Sequence, residues 1–165
     1  MIRLANPQDY QRILEITNQV ILSSNAIYRE EPHTMETRKE WFIQHSPIFV
    51  AEKDGKVVGF VTYGPFRENN GYRYSVEHSL HIDEAYRKQG IGSELLKTLI
   101  DHLKTTDYRL VIGVIDNENK ASLHLHEKFG FINEGVIHKV AIKHGQWLDV
   151  CFMSLDLFGM KDKHN

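Results

Sequence analysis

A single cysteine, Cys151, is the only thiol in this 165-residue chain. No disulfide can form within it, and no pair of thiolates is available to a structural zinc site. An excess of charge is also missing, since 20 Lys and Arg stand against 22 Asp and Glu for a formal net charge of −2. That balance excludes a general nucleic-acid binder and a polybasic membrane surface, so any anion site must be local. No apolar run approaches the ~20 residues of a membrane span, and "MIRLANPQDY" at the start lacks the basic residues and apolar stretch of a signal peptide. The expectation is a soluble, cytoplasmic protein with no nucleic-acid or membrane partner. Repeats, linkers and low-complexity segments are absent as well. With 41% apolar residues, the chain is expected to form one domain over residues 1–158, followed by a frayed tail over 159–165.

Hydrophobic periodicity is well defined. "IRLA" reads as a short strand, and Tyr10, Ile13, Leu14, Thr17, Val20 and Ile21 mark one face of a first helix. A polar loop over 23–33 precedes a second helix capped by Thr34, with Glu36 or Thr37 in its first turn. Asp-Gly between the two apolar runs of "PIFVAEKDGKVVGFVTYG" predicts a hairpin. From Tyr72 to Ile82 apolar and polar residues alternate, which predicts one long strand with Arg73 and Glu77 on its polar face. Ile91, Leu95, Leu96, Leu99, Ile100 and Leu103 form a helical stripe, and the apolar run "RLVIGVI" follows. Strand, helix and strand in this order suit a right-handed parallel crossover. A helix over "NKASLHLHEKFG" ending at Gly130 and a last hairpin turning at "HGQW" complete the pattern.

The stretch Arg87-Lys88-Gln89-Gly90-Ile91-Gly92 lies between the predicted strand end and helix start. A helix N-terminus offers unpaired N–H groups, glycines permit a sharp turn with close approach, and two cations add charge. These features specify a phosphate cradle, although the hexapeptide alone fits a basic turn capping a surface helix equally well. The dinucleotide fingerprint requires glycine where Leu95 stands, and the Walker loop requires a Gly-Lys-Ser/Thr that is missing.

A glutamine or basic residue, spacers and Gly-x-Gly at such a junction resembles the pyrophosphate-binding motif of the GCN5-related N-acetyltransferases. "NKASLHLHEKFGF" resembles that family's second signature, an Asn followed eleven residues later by Gly-Phe. The resemblance covers most of the chain. It implies a mixed α/β fold with a central sheet of about seven strands splayed in the middle and about four flanking helices, and acetyl-CoA as co-substrate. It further implies that the backbone of Leu80, His81 and Ile82 pairs with pantetheine. Arg87, Lys88, Gln89, Gly90, Ile91, Gly92 and Ser93 would hold the pyrophosphate, and Asn119 would contact CoA or order the site, besides serving as a helix N-cap. "YSVEHSLHIDEAYRKQGIGSELL", "LHEKFGF" and "HGQWLDV" are similar to the phosphinothricin and methionine sulfone or sulfoximine N-acetyltransferase branch. That likeness implies transfer to the α-amine of a small amino acid or toxic analogue, and a homodimer whose C-terminal region helps close the pocket.

Amine acetylation needs the neutral amine, so some group must accept a proton. Glu77 matches the glutamate assigned as base in that branch. Many family members protonate the leaving thiolate with a tyrosine where this chain has His126, a candidate acid that reads equally well as a packed helix histidine. Tyr28, Arg73 and Val76 are the further candidates around the acceptor, with Arg29 a weaker one and Trp41 more suited to the core. His78 with His81, and His124 with His126, point to different faces of their elements, so no metal site is expected. Cys151, in an apolar run, reads as a small hydrophobe rather than an acyl carrier. Two other functions fit the residues less well. A polyamine, aminoglycoside or protein N-terminus as acceptor would call for clustered acids, and "YREE" is the only modest cluster nearby. A non-catalytic acyl-CoA sensor has no need of Glu77.

Overall fold

Strand β1 (Ile2–Leu4) opens the computed structural model, which describes residues 1–161. Helix α1 (Tyr10–Ser23) buries Ile13, Leu14, Thr17, Val20 and Ile21 as the periodicity predicts, and adds Ile16. Helix α2 (Met35–Gln44) begins at a reciprocal cap. The Thr34 hydroxyl accepts from the Thr37 N–H at 3.1 Å, and the Thr34 N–H donates to the Thr37 hydroxyl at 2.9 Å. Strands β2 (Ile48–Lys53) and β3 (Lys56–Pro65) form the expected hairpin. Positive φ at Asp54 (52°) and Gly55 (74°) supplies the tight turn between them.

Strand β4 runs from Ser75 to Ile82 rather than from Tyr72. Residues 70–72 make a single 3-10 turn, and Arg73 follows in the right-handed helical region at φ −59° and ψ −18°. The Asn-Asn-Gly sequence favours a turn there, and Tyr72 and Tyr74 stay exposed at 45% and 49%. Helix α3 (Ile91–Leu103) buries Leu95, Leu96, Leu99, Ile100 and Leu103. Strand β5 (Leu110–Asp116) then pairs parallel with β4, which is the predicted crossover. The β4–β5 ladder covers Ser75–Glu77. Helix α4 (Lys120–Lys128), strands β6 (Ile132–Lys143) and β7 (Gln146–Asp156), and a short helix α5 (Leu157–Lys161) follow. Gly130 at φ 91° ends α4 as expected, and His144 and Gly145 turn the last hairpin at φ 49° and 77°. Of the expected tail over 159–165, residues 159–161 belong to α5 and 162–165 lie outside the described residues.

The strands form one seven-stranded mixed sheet in the order β1-β2-β3-β4-β5-β7-β6. Residues group into two compact units, one comprising 1–63 and 79–98, the other 64–78 and the described residues from Leu99 onward. In the first, Ile13, Ile16, Phe42, Ile48, Val50, Val57 and Phe60 form the core, with Trp41 packed against it. In the second, the buried residues include Val76, Val111, Phe131, Val150, Cys151, Met153 and Leu155. Among the described residues no helix is long and apolar enough to cross a membrane.

Candidate active site

The glycine turn takes the geometry its sequence anticipates. Lys88 and Gly90 both adopt positive φ, 61° and 83°, and the chain enters α3 at Ile91. A Cβ added at Gly90 would meet nothing within 4 Å, so the space beside the turn is open. Left-handed residues next to a helix start aim successive amides into one concavity, the arrangement that receives an anion. Arg87, Lys88 and Gln89 are exposed around it, and Lys53 from the β2–β3 hairpin donates to the Gln89 carboxamide oxygen at 2.6 Å. The chemistry of this donor set fits the pyrophosphate of acetyl-CoA.

The end of β4 leads into that turn. The Asp83 N–H donates to the Val58 carbonyl at 2.8 Å, which holds the strand end against β3. Gly59 packs so closely that an added Cβ would stand 3.1 Å from the His81 carbonyl oxygen. The His81 ring meets Phe60 edge-on at 5.6 Å. Burial, reinforced by Arg38 and Arg87, lowers its pKa to about 4, so it is a neutral imidazole at physiological pH.

On the earlier half of β4, Val76 and His78 are buried while Glu77 is half-buried on the opposite face. Burial raises the Glu77 proton affinity, and the Arg67 charge opposes this. A cavity of about 360 Å³ is lined by Arg67, Arg73, Tyr72, Ser75 and Tyr108 among others. Ser75, which lines the cavity, lies two residues before Glu77 on the same strand face. Arg73 reaches this cavity from the turn, not from the strand alternation the sequence predicted. Its guanidinium donates to the Asn70 carbonyl at 2.9 Å and lies over the Tyr74 ring. Arg67 stands in a segment the sequence marks only as loop, and nothing in its pattern distinguishes it. Val76, expected near the acceptor, is 1% exposed in the β4–β5 ladder, and its side chain belongs to the core.

His126 is 2% exposed, and both its ring nitrogens are engaged. Nδ1 lies 2.6 Å from the Ser122 carbonyl oxygen, which can only accept, so Nδ1 carries the proton. In the neutral ring Nε2 is then an acceptor, and His78 Nε2, 2.9 Å away, donates to it. The two rings stack at 4.9 Å and 3°, with Phe131 edge-on to both. Gly113 on β5 leaves room for them, because a Cβ there would stand 3.2 Å from His78 Nε2. Burial lowers the His126 pKa, partly offset by the Ser122 bond. The sequence offered His126 as a candidate acid and did not foresee His78 as its partner. Asn119 caps α4 through its side-chain oxygen, which accepts from the Ser122 N–H at 3.2 Å.

Tyr28 lies half-buried in the loop between α1 and α2. Arg29 in the same loop donates to the Glu31 carbonyl at 2.7 Å. Asn18 anchors the loop with two bonds to His33, at 2.8 and 2.7 Å. Trp41 is partly buried and packs against the core, edge-on to Phe42 and stacked on His45. Among the described residues no group of three or more His, Cys, Asp or Glu is placed to hold a metal ion.

A mixed sheet with a parallel β4–α3–β5 crossover and a glycine turn at the strand-to-helix junction are the features expected of an acetyltransferase. The chain belongs to the acetyltransferase (GNAT) family, which it matches over residues 13–131. It is 34% identical over 160 residues to an L-amino acid N-acyltransferase, MnaT, of Escherichia coli, covering 94% of this chain and 93% of that protein. It is 34% identical over 160 residues to an L-methionine sulfoximine/L-methionine sulfone acetyltransferase of Salmonella typhimurium, covering 94% of each. A GNAT phosphinothricin acetyltransferase from Sinorhizobium meliloti, solved in complex with acetyl-CoA, superimposes with a TM-score of 0.89 at 31% identity, covering 94% of this chain and 87% of that one.

Proposed function

We propose that this protein transfers the acetyl group of acetyl-CoA to the α-amine of a small amino acid or an analogue of the methionine sulfoximine, methionine sulfone or phosphinothricin class. The observation that carries the reading is Glu77, a half-buried carboxylate with raised proton affinity that feels the charge of Arg67 and shares its strand face with Ser75, a residue of the cavity that also holds Arg67 and Arg73. A carboxylate whose pKa is moved towards neutrality is a better proton acceptor, and two guanidiniums nearby suit the carboxylate or phosphinate of such an acceptor. The names of the relatives support the same substrate class.

Acetyl-CoA supplies an activated acyl group. The amine nitrogen bonds to the acetyl carbon as the C–S bond breaks, Glu77 takes the amine proton directly or through one water, and the sulfur leaves as thiolate. A CoA thiol, near the cysteine reference of about 8.5, needs little help to leave. His126, with both nitrogens engaged, serves this reading as the buried partner of His78 rather than as a direct acid. Leu80, His81 and Ile82 offer backbone to pantetheine, and residues 87–93 receive the pyrophosphate. Tyr28 is assigned to the acceptor side through the family resemblance alone.

The single-domain reading over residues 1–158 belongs to the proposal, supported by a family match that draws on both compact units. So does a cytoplasmic homodimer. The outermost strand β6 and the start of β7 leave Ile137, Val140, Ile142 and Trp147 exposed, an apolar edge that a second copy would cover. Light scattering coupled to gel filtration reads the mass directly. The deciding experiment is free-CoA release from acetyl-CoA with a panel of methionine sulfoximine, methionine sulfone, phosphinothricin, polyamines and aminoglycosides. Turnover with the amino acids is expected, and turnover confined to the polycations overturns the assignment.

A further inference from the structure

The approach to the glycine turn is held from helix α1 by residues that belong to neither the donor turn nor the acceptor cavity. Asp83, 6% exposed, stands between Ile82 and the turn at Glu84–Tyr86 that leads into Arg87. Its carboxylate oxygens are used separately. Oδ2 receives Nη2 of Arg12, whereas Oδ1 accepts from the Ala85 N–H at 3.0 Å and, more distantly, from Gln19 Nε2 at 3.5 Å. Gln19 also acts in the other sense, its Oε1 accepting from the Glu84 N–H at 2.9 Å. Arg12 Nε donates to the Val57 carbonyl at 3.0 Å, and the Asp83 N–H donates to the next carbonyl, Val58, at 2.8 Å. Arg12 and Gln19 are seven residues apart, two turns on one face of α1. Strand β3, helix α1 and the entry to the turn are thus fixed to one another around Asp83, whose buried carboxylate ties α1 to the turn while its N–H and Arg12 hold β3. The carboxylate's charge is matched by Arg12, so it does not oppose an anion bound just downstream.

We infer that Arg12, Gln19 and Asp83 act as a positioning clamp that sets the glycine turn at a fixed distance from the Leu80–Ile82 backbone, and thereby sets affinity for the pyrophosphate-bearing donor. This rests on the reading of the protein as an acetyl-CoA-dependent transferase. Pantetheine and pyrophosphate are parts of one molecule, so two protein segments that bind them must be held at matched spacing. If that spacing fluctuates, each binding event must first order it, and affinity falls. A donor without the pyrophosphate engages only one of the two segments and is insensitive to their separation.

The test compares acetyl-CoA with S-acetylpantetheine as donors for the wild type, Gln19→Met and Arg12→Met, with acetyl-CoA binding measured by calorimetry. Gln19→Met removes both Gln19 contacts at nearly constant volume from a half-buried site, so it keeps the test valid if Arg12→Met fails to fold. The expected result is a rise of about tenfold in KM and Kd for acetyl-CoA, kcat within about twofold, and unchanged kinetics with S-acetylpantetheine. Unchanged acetyl-CoA affinity in Gln19→Met, or an equal rise for both donors, overturns the clamp. Because calorimetry reads it without an acceptor, a wild type that binds acetyl-CoA but acetylates no amino acid sinks the function alone.

Discussion

Replacing Gly59 with alanine tests whether the packing of β3 on β4 sets the donor site. The new methyl would stand 3.1 Å from the His81 carbonyl oxygen and 3.3 Å from both the Ile82 Cγ1 and the Leu95 Cδ1. Carbon atoms prefer separations nearer 3.5–4.0 Å, so each neighbour must yield by a few tenths of an ångström. The Leu95 end can rotate, but the His81 oxygen belongs to a strand that cannot move without carrying Leu80 and Ile82 with it. Overpacking of this size destabilises by about 1–3 kcal/mol, and the smaller entropy of an unfolded chain with alanine in place of glycine returns about 0.4–1 kcal/mol. A net loss of about 1–2 kcal/mol corresponds to a fall in Tm of about 2–8 °C for a chain of this length. Because the displaced carbonyl lies in the segment offered to pantetheine, KM for both acetyl-CoA and S-acetylpantetheine should rise. Calorimetric Tm and initial rates with the two donors measure both effects. An unchanged Tm with unchanged KM for both donors would refute the argument that this contact fixes the strand.

Glu77→Gln is expected to lower turnover about 10²- to 10⁴-fold with little change in acetyl-CoA affinity, read from rates across pH 6–9. Since burial raises the folded pKa of Glu77, its favourable contribution is complete at low pH and is lost as pH rises through that value; Gln should raise Tm at pH 7 and leave it unchanged at pH 4. Gly90→Val should weaken acetyl-CoA binding, because a β-branched residue resists the φ of 83° found there, and an unaltered KM for acetyl-CoA would count against the cradle. The buried His126 has a lowered pKa, so the unfolded chain binds the extra proton first; stability should begin to fall as pH drops below about 6.5 and continue to fall until the folded value is passed. In His126→Gln the slope of Tm against pH between 5 and 7 should flatten.

Local rules account for what was legible in the sequence. The α1 stripe, the Thr34 cap, both tight hairpin turns and the crossover helix rest on interactions within a few residues, which the sequence states directly. Ahead of β4, alternating apolar residues at Tyr72 and Tyr74 imitate a strand, whereas the preceding Asn-Asn-Gly decides for a turn. The glycine turn was legible because positive φ and charge are local properties. The His78–His126 pair was not, since it joins residues 48 apart whose meeting depends on β5 presenting Gly113 beside both rings. Arg67 and the Arg12–Asp83 contact were hidden for the same reason. An arginine in a loop or on a helix carries no local sign of the carboxylate or cavity it will meet.

Strand β4 carries the proposed proton acceptor at Glu77 and, three residues later, the first backbone group offered to the donor. Their separation is therefore a matter of bond lengths, about 10 Å along an extended chain, and not of how well neighbouring elements pack. Loops around the acceptor can lengthen, shorten or change sequence without altering that interval. A single residue inserted or deleted between Glu77 and Leu80 would do what no loop change can. It would turn the carboxylate to the opposite side of the sheet relative to the donor segment. Substrate range can therefore drift on this scaffold while the reaction itself stays in register.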